Sequence, residues 1–282
     1  MDCVALVKYK GNLVETLKEA IELSGGFGAL KSPFIIKPNI CTNWDRTGVA
    51  VTNVEIVEAL IKRVLQNDER LSIKIVESNS ESKFADEAFE NFGYKRLEDR
   101  FRSLGFDVSL VNLSRSPTVS VKLDGLYFKN PKLPKVLTEP RYFVSMAVAK
   151  THRLTFITGT LKNLFGLLPR KNQSFYHPYI NNVIVDLNRL VRPDLCVVDA
   201  RVGLEGWAGP RMRHINTLIV GRNPVSVDAT MARVMGFEPE RIHHLVEAKE
   251  YDLGTLNPKI LGESIESTTV KFKSPTTHTS AH

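Results

Sequence analysis

Three lysines and two histidines fall inside one stretch of the chain, Lys150 to His177, directly after an apolar run from Tyr142 to Ala149. Lys150, Thr151 and His152 come at the end of that run. Thr158, Gly159, Lys162, Asn163 and Gly166 follow, and then Lys171, Tyr176 and His177. Side-chain amines hold carboxylates and phosphates. A lysine partly withdrawn from water can also lose its proton near neutral pH and serve as a base. Imidazoles move protons in the same range. The stretch thus offers Lys162, His152 and His177 for proton chemistry and Lys150, Thr158 and Asn163 for holding a ligand. A surface helix with solvated lysines and a satisfied core histidine is the plainer alternative. The turn Thr158-Gly159 into a helix suits an anion, although the glycine and lysine spacing of a P-loop is missing.

Other stretches add candidates. Lys37-Pro38-Asn39 places a cation and an amide just past a strand; the pair either holds an anion or forms a turn whose asparagine bonds its own backbone. Cys41 could be a nucleophile, but lone cysteines are more often small buried hydrophobes. Glu205, Gly206 and Gly209 lie in a glycine-rich segment, Gly203 to Pro210, that lets backbone approach a ligand. It lacks the spacing of a dinucleotide fingerprint. His152 and His177, with Asp199 or Glu205, could bind a metal or divide acid and base roles; the metal, if any, is unknown. His243-His244 reads as surface. Asp228, one turn into its helix, suits that helix's own N-terminus.

Elements that would position these groups follow from periodicity. Strands are expected at Asp2 to Lys8, Phe34 to Ile36, Ile73 to Val76, Val108 to Leu113, Tyr142 to Ala149, Leu195 to Val198 and Ile215 to Val220. Helices alternate with them: Asn12 to Leu23, one starting at Thr52 with Glu55 as a capping box, Lys83 to Phe92, another to Leu104, Ile180 to Val191, and one entered through Asn223-Pro224. Thr118 to Leu137, with Asp124-Gly125 at its turn, reads as an inserted β-hairpin. The fold class is therefore α/β: a mostly parallel central sheet flanked by helices. Residues 1–263 form one domain and 264–282 a polar C-terminal tail with a mobile end from Pro275. Polar loops after Lys37, Glu77, Lys150, Asp199 and Asn223 are expected to share one edge of the sheet, where such folds bind ligands.

Composition narrows the class of partner. The chain has 282 residues, 43% hydrophobic and 24% charged, with a net charge of +7. The positive excess is spread out, which favours a small anionic molecule over nucleic acid, since no basic stripe with interleaved aromatics occurs. Cys3, Cys41 and Cys196 are far apart, which points to free thiols in a reducing, cytoplasmic setting. No signal pattern opens the chain and no apolar run reaches membrane-spanning length.

One combination of motifs resembles a known family. Lys37-Pro38-Asn39, Thr52, Lys150-x-His152, Thr158-Gly159-x-Leu161-Lys162-Asn163-x-x-Gly166, His177, Asp199-Ala200, Gly203-x-Glu205-Gly206-x-x-Gly209-Pro210 and Asn223-Pro224-Val225-x-Val227-Asp228 resemble the family called domain of unknown function 362, over about residues 33 to 236. Many relatives join this domain to a ferredoxin-like iron-sulfur segment. Three scattered cysteines cannot supply such a cluster, so no iron-sulfur cluster is expected within this chain, and the cofactor stays unknown. The combined reading is an α/β enzyme acting on a small carboxylate or phosphate. The alternative is a non-catalytic ligand-binding or accessory protein for an iron-sulfur redox partner.

Overall fold

A computed structural model of the protein describes residues 2–169 and 172–275. The first half alternates as expected: β1 (Cys3–Lys8), α1 (Leu13–Leu23), β2 (Phe34–Pro38), α2 (Val54–Leu65), β3 (Ile73–Glu77), α3 (Ala85–Asn91), α4 (Tyr94–Ser103) and β4 (Val108–Asn112). A short hairpin follows, β5 (Thr118–Ser120) with β6 (Lys132–Pro134), antiparallel and apart from the main sheet. Then come β7 (Tyr142–His152), β8 (Phe156–Thr158), α5 (Thr160–Asn163) and α6 (Ile180–Leu190). The chain continues through β9 (Leu195–Glu205), β10 (Arg211–Gly221), α7 (Pro224–Val234), α8 (His243–Lys249), β11 (Lys259–Gly262) and α9 (Ile265–Thr268).

Among the described residues one large sheet runs in the order β11-β1-β10-β9-β7-β2-β3-β4, with β8 added to β7. β2, β3, β4, β7 and β9 are mutually parallel where they pair, and β10 is antiparallel to both of its neighbours. Apolar side chains fill both faces, as a buried parallel sheet requires. Helices α1 to α4 pack on one face against Phe34, Ile36, Ile73, Ile75 and Val144. Helices α5 to α8 pack on the other against Ile35, Val76, Phe143 and Ala147.

Helix entry is set locally. Asn12 accepts the N–H of Glu15 at 3.2 Å and opens α1. The expected start of α2 moves by one residue: Asn53, not Thr52, is the cap, accepting the N–H of Glu55 at 2.8 Å. Thr52 works elsewhere. Its hydroxyl accepts the N–H of Asn39 at 2.8 Å and donates to the carbonyl of Met146 at 3.0 Å, tying the loop after β2 to β7.

Three expectations need correction. Asn223 does not share an edge with Lys37, because β10 runs antiparallel and delivers Asn223 to the opposite side. Asp199 is not at a strand end either; β9 carries on to Glu205, and Asp199 is held by Arg201 at 2.8 Å. The segment after residue 263 is polar in sequence, yet it forms α9 and places Phe272 in the core, with its N–H on the carbonyl of Met235 at 3.0 Å. Residues 276–282, most of the end read as mobile, lie outside the described residues, as does Lys171.

Candidate functional site

The chain leaves β2 for β3 and β4 on one side and returns to β7 on the other. Sheet order therefore reverses between β2 and β7, and a crevice opens past their C-terminal ends. A cavity of about 430 Å³ occupies that place. Lys37, Asn39, Lys150, His152, Thr158, Lys162, Asn163 and His177 all line it. Of the eleven residues offered for proton chemistry or ligand holding, these eight are thus brought together, and Cys41 lines the same cavity.

Each of its lysines has a different environment. Lys37, 1% exposed, donates to Glu77 Oε2 at 2.7 Å and to the carbonyl of Pro38 at 2.7 Å. The same carboxylate meets Lys83 at 3.3 Å, so a single fully buried Glu77 stands between two cations. Burial pushes the Lys37 amine down to about 8, although Glu77 pulls it upward. Lys150, also 1% exposed, meets no carboxylate among the described residues. Its ammonium is held by Asn39 Oδ1 at 2.8 Å, the carbonyl of Ala50 at 2.7 Å, the carbonyl of Trp207 at 3.3 Å and Cys41 Sγ at 3.5 Å. Buried cations normally sit opposite an anion, and here neutral dipoles stand in for one.

Lys162 differs from both. The residue is half-buried, and its ammonium lies 5.7 Å from the ring centre of Phe165 and has no hydrogen bond or ion pair among the described residues. Burial first, then the positive charge of Lys150, push it down to about 8. Its backbone is fixed from another helix. The buried carboxylate of Asp228 accepts the N–H and hydroxyl of Thr160 and the N–H of Leu161, all within 2.9 Å. Asp228 is therefore not serving its own helix N-terminus, as the sequence suggested, but that of α5.

The two histidines are held as neutral rings. Burial, and then Lys162, lower His152 to about 2, and the same two causes lower His177. His152 Nδ1 accepts the N–H of Leu154 at 3.2 Å, which leaves the proton on Nε2. His177 stacks on Phe165.

Some of these groups are anchored and some are free. Asn163 spends its amide on the carbonyl of Lys37 at 2.8 Å and on Ser145 Oγ at 3.1 Å, so it braces β2 against β7. Asn39 is 8% exposed and Thr158 is 3% exposed. Among the described residues the Nδ2 of Asn39 and the hydroxyl of Thr158 have no partner, although both residues line the cavity.

The glycine-rich segment is a hairpin turn between β9 and β10. Glu205, Gly206 and Gly209 do not line the cavity; Glu205 turns to Arg213 at 2.8 Å and to the N–H of Lys273 at 2.9 Å. Gly206 donates its N–H to Thr151 Oγ1 at 2.7 Å, and a Cβ on Gly209 would lie 2.5 Å from the carbonyl of Glu205. The turn presents Trp207 instead, which the sequence did not single out. With Asp199 on Arg201 and Glu205 on Arg213, neither carboxylate joins the histidines. Among the described residues no three His, Cys, Asp or Glu side chains assemble as a metal set.

Cys41 departs from the expected buried hydrophobe: it is half-buried and lines the cavity. Lys83 was missed because a lysine at the start of a helix looks the same whether it is solvated or buried. His244 is corrected from surface to core, 0% exposed, with neither ring nitrogen bonded among the described residues.

Among the described residues no helix is long and apolar enough to cross a membrane. The Thylakoid-associated protein sll1697 of Synechocystis sp. is 23% identical over 261 residues, which cover 88% of this chain and 77% of that protein. The model of the family described as Domain of unknown function (DUF362) matches residues 35–233, the span that holds every residue lining the cavity, and the chain belongs to that family.

Proposed function

We propose that the crevice between β2 and β7 binds a small anion, carboxylate or phosphate, and that Lys162 exchanges a proton with it. The observation that carries this reading is the ammonium of Lys162, without a hydrogen bond or ion pair among the described residues, in a cavity that already holds the cations of Lys37, Lys83 and Lys150. Among its lining residues the carboxylates are Glu81 alone, with Glu77 set behind Lys37 and Lys83. An anion would supply the missing counter-charge. Asn39 Nδ2, Thr158 Oγ1 and His152 Nε2, which have no partner among the described residues, would donate to it.

The histidines take a different part from the one their residue type suggests. Neutral His152 donates a hydrogen bond and polarises a ligand oxygen, while Lys162, titrating near neutral pH, is the group that moves a proton. Lys37, Lys150 and Asn163 shape the site and supply field. A cytoplasmic location is part of this proposal and rests on the thiols of Cys41 and Cys196, which are far apart in the sequence and unpaired with each other. The name of the cyanobacterial relative places that protein at thylakoids.

The test uses phosphate and oxalate as probes, with chloride at matched ionic strength as reference. A specific anion at one hundred times its dissociation constant stabilises the fold by about 2.7 kcal/mol. Saturable stabilisation that disappears in Lys162→Met is the expected result. Equal melting curves in all three salts would remove the reading.

A further inference from the structure

The cavity holds two kinds of amine, and the difference points to a substrate class. Lys150 donates to three oxygens and a sulfur, so its ammonium is fully engaged and fixed. Lys162 is free of partners among the described residues, stands on a helical turn pinned by Asp228, and borders on Phe165. Fixed cations beside it favour the uncharged amine, whose lone pair is then a nucleophile. Burial and Lys150 hold the Lys162 amine near 8, so a useful fraction is uncharged at neutral pH.

We infer that Lys162 forms an imine with a small 2-oxo acid, a ligand whose carbonyl carbon lies next to its carboxylate. This deepens the anion-binding reading of the same cavity and rests on it. The carboxylate would take the donors of Asn39 and Thr158 that lack a partner among the described residues, and the field of Lys150. The ketone carbon is then presented to Lys162. The Nζ lone pair forms a bond to that carbon as the carbonyl π pair moves to oxygen. A proton passes from nitrogen to that oxygen, giving a carbinolamine. His152 Nε2–H faces the same cavity and can stabilise the oxygen. Protonation of the hydroxyl and loss of water leave a protonated imine, with one water released for each oxo acid consumed. No oxidant, reductant or metal enters the balance. The cation so formed draws electron pairs from bonds at the adjacent carbon, which is the chemical use of such an adduct.

Pyruvate and 2-oxoglutarate are the probes, with borohydride added to reduce the imine to a stable secondary amine. Peptide mapping of the intact wild-type protein reads which lysine is modified. The expected result is near-stoichiometric mass gain on the peptide carrying Lys162, with exposed lysines such as Lys129 and Lys62 modified at least tenfold less. Lys162→Arg separates the two ideas, because a guanidinium still attracts an anion but cannot form the imine. It should retain stabilisation by oxalate and lose all trapping at position 162. Oxalate stabilisation of the wild type without any adduct on Lys162 overturns the imine and leaves the anion site standing. Uniform labelling across surface lysines overturns it as well. Neither stabilisation nor trapping overturns both readings.

Discussion

Asp228, on α7, accepts the amide N–H of Thr160, at the start of α5, at 2.7 Å. One helix thus supplies the N-terminal cap of another, and the capped turn is the one that carries Lys162 and Asn163. The geometry explains the glycine before it: a Cβ on Gly159 would lie 2.5 Å from the Asp228 carboxylate. The turn that carries Lys162 into the cavity is therefore held by a side chain that does not line the cavity.

Asp228→Ala should destabilise the protein by about 2–4 kcal/mol, since three buried donors lose their acceptor together. Gly159→Ala should reproduce the effect by pushing the carboxylate away. Urea midpoints measure the loss, and oxalate stabilisation measures the site. Both variants should weaken oxalate binding at temperatures where they remain folded. A stable Gly159→Ala protein with full oxalate binding would show that the cap does not position Lys162.

Glu77 stands between Lys37 and Lys83, with all three side chains nearly without solvent contact. Glu77→Gln leaves two buried cations without their counter-charge and should cost about 3–5 kcal/mol. Adding Lys37→Met to Glu77→Gln removes one of the stranded charges and should recover part of that loss. A double-mutant cycle on denaturant midpoints checks it. Additive losses would mean that Lys37 and Glu77 are not coupled.

The presence of a strand was legible in the sequence from apolar runs such as Phe34-Ile35-Ile36 and Tyr142 to Ala149, but its end was not: β2 runs on through Pro38, β7 through His152 and β9 to Glu205. Nor was its direction. Nothing within Arg211 to Gly221 distinguishes a strand entered by a hairpin from one entered by a crossover, so Asn223 was assigned to the wrong edge. The hairpin loop also took Glu205 out of the site, since its pairing with Arg213 depends on a register that only the folded pair reveals. Asp228 and Thr160 are 68 positions apart, and Lys83 reaches Glu77 from beyond a turn, so neither relation has a local signature. Lys162, by contrast, stands out in the sequence because its turn comes soon after a buried apolar run, although β8 intervenes between β7 and that turn.

His244 gives a pH prediction with a definite sign. Burial lowers it to about 3, so between 6.5 and about 3 the unfolded chain binds a proton that the native fold refuses. Above 6.5 neither state carries that proton and the group contributes nothing to the pH dependence. Stability should therefore fall as pH drops below 6.5, by about 1.4 kcal/mol per pH unit from this residue. His244→Leu should remove that component. It should also be neutral or stabilising at pH 7, because both ring nitrogens lack a partner among the described residues. Identical losses in the two proteins between pH 7 and pH 5.5 would contradict this.

Lys162 titrates in the opposite sense where a ligand is concerned. Its ammonium form attracts an anion, and its folded value lies at about 8. Oxalate affinity should be flat below that value and fall as pH rises through it, by up to about tenfold per pH unit if the proton is required for binding. By linkage the bound anion raises the Lys162 value, so binding above pH 8 should take up a proton, visible as a dependence of calorimetric heat on buffer ionisation. Lys37 also lies at about 8, but Glu77 already neutralises it and its loss should appear in stability. Lys162→Arg distinguishes the two: a guanidinium keeps its charge throughout, so the variant's oxalate affinity should stay level to pH 9. A wild-type profile with the same shape as Lys162→Arg would assign the titration to Lys37 and place the anion away from Lys162.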